Sequence, residues 1–82
     1  MKDLRDTIEL MNSEDYKERF KAEYYQLKIR YNRLCVMVVK WDNGTLHFTP
    51  TCPRELYNNQ LDFMYNYLLV LEKRAELEGI TL

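Results

Sequence analysis

From Phe20 onward, apolar positions recur at Tyr24, Leu27, Tyr31, Leu34, Val38 and Trp41, at alternating intervals of four and three. That spacing keeps one stripe of a helix turned toward a neighbour, as in the seam of a coiled coil. Ser13 supplies a cap and Glu14 and Asp15 supply first-turn acids, so the pattern predicts a helix over 14–41. Asp42-Asn43-Gly44 ends it, because Asn and Gly tolerate the left-handed conformation of a helix terminus. At about 1.5 Å per residue the helix is about 40 Å long.

A second helix is predicted over 53–78, with Gly79 as its stop. It carries two apolar stripes. Tyr57, Leu61, Met64, Leu68, Leu71 and Ala75 form the cleaner one. Leu56, Phe63, Tyr67, Val70 and Leu77 form another, interrupted by Gln60 and Arg74. A helix covering a single neighbour does not need so broad an apolar face, so one stripe is assigned to the first helix and the other to a further surface. Two candidates offer that surface. Leu4, Ile8 and Met11 mark a short amphipathic helix within residues 1–12, too short to stand undocked. A second copy of the chain is the other candidate, because one layer of side chains between two helices is a thin core for a domain of this size. The expectation is a homo-oligomer.

The connection, 42–52, holds Leu46, His47 and Phe48, which are expected to fold back over the open end of the hairpin. Within "FTPTCPREL", Cys52 invites a chemical reading, but Pro53 suits a first helical position and Glu55 a capping box. Cys52 is therefore read as a helix cap, with Thr51 as the alternative, and not as a nucleophile lacking a base. The expected fold class is all-α: one domain, 1–82, built as an antiparallel hairpin of two long helices with a short N-terminal helix, self-associating.

Composition narrows the function. The 82 residues include only two glycines and two prolines, three of these four between positions 44 and 53, so the punctuation falls at a single junction. One histidine and two cysteines supply no metal-ligand cluster, and neither a paired-carboxylate nor a Gly-rich signature is present, so no enzyme, metal or cofactor is expected. No apolar run suits a membrane span and no secretory apolar region follows Met1, so the expected location is cytoplasmic.

The formal net charge is −1, which disfavours duplex nucleic acid as a partner. The charge is unevenly distributed: residues 16–41 carry a net +5, whereas 1–15 and 42–82 each carry −3. Two readings follow. The basic helix and the acidic segments neutralise one another, in surface pairs that stabilise little; or the basic helix holds an anion, its arginines and lysines interleaved with tyrosines as in sites that grip phosphates and stack on bases. On the second reading the ligand groups are Tyr25, Lys28, Arg30, Arg33, Thr51 and Arg54. The arginines fork to phosphate, tyrosine stacks, and the second helix N-terminus adds backbone donors. The seven tyrosines otherwise suit core and interface, with hydroxyls that must find partners; Tyr65, opposite the main stripe, is the one packing explains least.

"DYKERFKAEYYQLKIRYNRL" and "GTLHFTPTCPRELYNNQLDFMYNYLLVLEKRAELEGI" together resemble a family of small phage and prophage proteins related to a crAss-like phage protein. The shared pattern is a YK-x-R start, a TP-x-CP-x-EL turn and a late Q-x3-M-x2-YL-x2-LE-x-RAE, spanning Asp15 to Ile80. The resemblance implies a phage or prophage origin and a host-cytoplasmic setting. Small helical-hairpin phage proteins include captors of nucleotide immune signals and, like anti-CRISPR proteins, blockers of host proteins. The expected function is therefore counter-defence by sequestering a small anionic nucleotide in an oligomer. The alternatives are a protein that inhibits or regulates a host defence protein, and a phage accessory or structural subunit.

Overall fold

The computed structural model describes residues 3–82, so the first two residues of the expected 1–12 helix lie outside the described residues. A 3₁₀ turn, Leu4–Thr7, runs directly into a short helix α1, Ile8–Met11. Two long helices follow, α2 over Tyr16–Asp42 and α3 over Arg54–Glu78. No strand occurs among the described residues. The two long helices pack against each other, and the N-terminal turn and α1 lie along α2. The molecule measures 43 × 24 × 18 Å.

Local chemistry explains each boundary. Asp15 caps α2 by accepting from the Lys17 N–H, while the Ser13 hydroxyl accepts from the Asp15 N–H and donates to Glu18. The cap thus sits two residues beyond the serine expected to supply it. Pro53 caps α3 in an extended conformation, ψ 149°, and the helix begins at Arg54, so Cys52 lies outside it. Gly79 closes α3 at φ +71°, and the following Ile80 N–H reaches back to the Ala75 carbonyl at 2.8 Å. That reversal tucks Ile80 into the core.

The core occupies the end of the hairpin away from the connection. Phe20 and Tyr24 of α2 meet Leu68, Leu71, Ala75 and Ile80, with Tyr25, Leu27 and Tyr31 packed around them. Leu71 is fully buried, and burial of such a side chain stabilises by about 1.5–3 kcal/mol. The first apolar stripe of α3 therefore faces α2, as its spacing predicts. The second remains open: Leu56, Phe63, Tyr67, Val70 and Leu77 are all exposed.

The connection does not plug the hairpin. Leu46 is half-buried, but His47 and Phe48 are exposed. The open end is already closed by Trp41 and Tyr57, whose rings meet edge to face at 5.7 Å, and by Arg54 stacked over Trp41 at 5.2 Å. Tyr65 also has a packing role, its ring 6.3 Å from that of Tyr31.

Candidate functional site

The tyrosine hydroxyls decide where the charges go. Tyr16 donates to Glu78 at 2.7 Å, Tyr24 donates to Glu72 at 2.7 Å, and Tyr67 donates to Glu23. Each bond crosses between α2 and α3. Arg74 adds to the first of these, reaching both Glu78 and the Tyr16 hydroxyl while its guanidinium lies 5.1 Å from the centre of the Phe20 ring. The Tyr16 hydroxyl and then the Arg74 guanidinium hold the Glu78 carboxyl below its usual range. Burial, reinforced by the bond to Glu72, pushes the Tyr24 phenol up to about 12.

This ladder bears on the neutralisation reading. The ion pairs among the described residues are Arg5–Asp3, Arg54–Asp42, Lys73–Glu76 and Arg74–Glu78, of which only Arg54–Asp42 joins the long helices. The acids of α3 are held largely by tyrosine or by neighbours on their own helix, and among the described residues no cation of α2 enters an ion pair, although Arg19 donates to the Ser13 carbonyl and Lys28 to the Tyr24 hydroxyl.

Three of these cations border a groove. It lies between the N-terminal segment and α3, floored by α2. Leu4, Arg30, Arg33, Met37, Gln60 and Met64 line one part, of about 390 Å³. Met11, Arg19, Glu23, Gln26, Arg30 and Tyr67 line an adjoining part of about 320 Å³, the Glu23 carboxylate there accepting from the Tyr67 hydroxyl. A third recess of about 290 Å³ runs beneath the N-terminal segment, past Leu4, Thr7 and Gln26, and again reaches Arg30. Arg30 is thus common to all three, and among the described residues it has no hydrogen-bond or ion-pair partner. Volumes of this size suit a small ligand.

The wall formed by the N-terminal segment is held in place by Thr7, which is 1% exposed. Its hydroxyl donates to the Leu4 carbonyl at 2.7 Å and accepts from the Gln26 amide at 3.0 Å. Asp3 caps the 3₁₀ turn through the Arg5 N–H, and this bond, with the Arg5 side chain and the more distant Arg33, lowers its carboxyl.

The six expected ligand residues do not form one site. Arg30 and Arg33 line the groove. Tyr25 and Lys28 lie on another face of α2: at about 100° per residue, Tyr25 is about 140° around the helix from Arg30. Tyr25 instead packs edge to face on Tyr24, with centroids 5.3 Å apart, and Lys28 lies over the Tyr24 ring at 5.6 Å. Thr51 is exposed in the connection. Arg54 is committed to Asp42 at 2.5 Å, to Asn58 at 3.0 Å and to Trp41, which makes it a structural clamp. Its guanidinium holds the Asp42 carboxyl below the usual range.

Sequence reasoning missed Arg19, Gln26, Gln60 and Tyr67 as groove residues. Gln60 carried a signal, as a polar interruption of an apolar stripe. Among the described residues no group of three or more His, Cys, Asp or Glu side chains is placed to hold a metal ion. Both cysteines are free, Cys35 half-buried and Cys52 exposed. No helix among the described residues is long and apolar enough to cross a membrane.

No curated protein and no solved structure matches the chain. The profile of the Sequestin family matches residues 14–77, from just before the cap of α2 to the last turn of α3. Since that match takes in both long helices and the arginines of the groove, the chain belongs to the Sequestin family.

Proposed function

We propose that this protein sequesters a small anionic nucleotide in the groove centred on Arg30 and Arg33, as a phage or prophage counter-defence protein. The observation that carries the reading is Arg30, a guanidinium bordering every part of the groove and engaged by none of the described residues. Guanidinium groups recognise phosphate through paired, charge-assisted hydrogen bonds. Gln60 supplies an uncharged donor and acceptor suited to sugar or base edges, the Gln26 side-chain carbonyl a further acceptor beside an amide nitrogen already bonded to Thr7 and Met11, and the Tyr67 ring an aromatic edge. The family name fits a binding protein that withholds its ligand. Sequestration asks for affinity, and the groove offers guanidinium donors and apolar walls, with the Glu23 carboxylate on one side accepting from the Tyr67 hydroxyl.

The test is a thermal-shift panel of linear and cyclic nucleotides, with inorganic phosphate and a neutral nucleoside as controls. A nucleotide that raises Tm far more than phosphate supports the reading. Uniform silence across the panel refutes it.

The second reading is a binder of a host protein, favoured by the open stripe of α3. It predicts no nucleotide response and recovery of one host protein in a stoichiometric complex.

A further inference from the structure

Of the three tyrosine–glutamate bonds between the long helices, two have a cation beside them. Arg74 reaches the Tyr16 hydroxyl and Glu78, and Lys28 reaches the Tyr24 hydroxyl. The third runs from Tyr67 to Glu23, and among the described residues Glu23 enters no ion pair and accepts only from that hydroxyl. Arg19, one turn before it, donates to the Ser13 carbonyl instead. Yet this is the bond that borders the groove, where Glu23 lines the same recess as Arg30.

A carboxylate in that place repels phosphate, and its spacing from the groove arginines gives it another use. Glu23 and Arg30 are seven residues apart on one face of α2, about 10 Å along the axis, with Arg33 beyond. A nucleoside monophosphate with its phosphate at the two arginines reaches Glu23 with the edge of its base. Tyr67 donates to Oε2 of Glu23, which fixes the carboxylate and leaves Oε1 without a partner among the described residues. An ionised carboxylate has about four acceptor sites and no donor, so it complements two adjacent N–H groups. Guanine offers that pair, its ring N1–H beside the exocyclic amine. Adenine and cytosine set their one amine beside a ring nitrogen that is itself an acceptor.

We propose that Glu23 is the specificity-determining residue of the groove and selects guanine. The inference rests on the nucleotide reading and deepens it: Arg30 and Arg33 hold the phosphate, Glu23 reads the base edge, and Ala22, Leu27 and Met11 supply the apolar wall beside it. A base without the paired donors is rejected because the carboxylate is left facing a lone pair.

Isothermal titration calorimetry of the full chain with guanosine, inosine and adenosine 5′-monophosphates tests the assignment. Guanosine monophosphate is expected to bind about tenfold or more tighter than the adenosine compound. Inosine, which keeps N1–H but lacks the amine, falls between them. Glu23→Gln retains a carbonyl for the Tyr67 hydroxyl but turns one acceptor into a donor, so it loses the guanosine preference and gains affinity for adenosine. Glu72→Gln makes the same exchange at the Tyr24 bond, outside the groove, and moves the ligand-free Tm without moving the guanosine-to-adenosine ratio. If the Tyr67 bond only clamps the helices, Glu23→Gln behaves as Glu72→Gln does. That result, or equal binding of the guanosine and adenosine compounds by the wild type, overturns the inference and leaves the groove a nucleotide site. Silence of all three compounds while another nucleotide responds also overturns it, and silence of every nucleotide removes the groove reading as well.

Discussion

Replacing Arg30 by Gln separates folding from binding. Arg30 is exposed, and no described residue engages its guanidinium, so the change belongs with surface substitutions worth about ±0.5 kcal/mol. In a domain of this length 1 kcal/mol moves Tm by about 4–8 °C, so the ligand-free Tm shifts by no more than about 4 °C. Binding responds differently. A charge-assisted contact to phosphate is worth about 1.5–3 kcal/mol, which weakens Kd by about 10- to 150-fold when lost. A ligand at 100 times Kd stabilises the wild type by about 2.7 kcal/mol, or about 10–20 °C on the same scale. A roughly 30-fold weaker Kd leaves about 0.8 kcal/mol at the same ligand concentration, or about 3–6 °C. Differential scanning fluorimetry with the best nucleotide of the panel measures both quantities. The reasoning fails if Arg30→Gln keeps the full ligand shift while Lys28→Gln loses it, because the anion then sits on the Tyr25 face. It fails differently if the ligand-free variant melts far below wild type, since Arg30 must then have a structural partner.

Other consequences are as direct. Leu71→Ala empties a fully buried site at the hairpin contact and is expected to cost about 3–4 kcal/mol in urea unfolding; a cost near 1 kcal/mol means the surrounding Phe20 and Leu68 collapse into the space. One phenol is expected to ionise near pH 12 in absorbance at 295 nm and to vanish in Tyr24→Phe. Because folding raises that pKa above the unfolded value of about 10, its stabilisation is fully present below pH 10 and is lost as pH rises through 12. Thr7→Val removes the hydroxyl that bonds Gln26, and amide exchange across Leu4–Met11 should quicken by roughly tenfold for about 1 kcal/mol of lost docking; unchanged exchange means the apolar contacts alone hold the segment. Gly79→Ala meets no atom within 4 Å but must adopt φ +71°, which costs about 1–2 kcal/mol; a neutral outcome means Ile80 need not tuck back.

The long helices were legible because each has a single dominant period and the turn-forming residues fall together at the junction. Where the reading slipped, two local solutions were close in energy. Ser13 and Asp15 both have oxygens that reach a free amide, and the carboxylate lies nearer the first turn. Pro53 keeps its fixed φ but takes an extended ψ, which makes it the cap and leaves Cys52 outside. Tertiary placement was the harder part. Leu4, Ile8 and Met11 show that the N-terminal segment has an apolar side, but not whether α2 or α3 receives it. The distinguishing residue is Thr7, a polar group in line with that side, whose hydroxyl requires a matching amide. Gln26 on α2 provides one. The expected ligand cluster divided because it was gathered by proximity along the chain: Tyr25 and Arg30 are near in sequence and on different faces of the helix.

The same division explains the abundance of tyrosine. A hairpin joined by lysine–glutamate pairs would spend its cations on its acids. Here Tyr16, Tyr24 and Tyr67 bond the carboxylates of Glu78, Glu72 and Glu23. Tyr24 adds a buried ring as well as a hydrogen bond, and the cations drawn to these hydroxyls are Arg74 at Tyr16 and Lys28 at Tyr24, not the arginines of the groove. The formal charge of the chain stays near zero, yet the arginines of α2 enter no ion pair among the described residues. A protein of net charge −1 can therefore present a locally cationic groove. Phosphate-bearing ligands small enough to enter it experience that local field, whereas an extended polyanion meets the acidic remainder of the surface as well. On the proposed reading, binding is expected to depend strongly on Arg30 and Arg33 and to draw little duplex DNA or RNA, which nucleotide titrations of Arg30→Gln and Arg33→Gln beside a duplex-binding assay check.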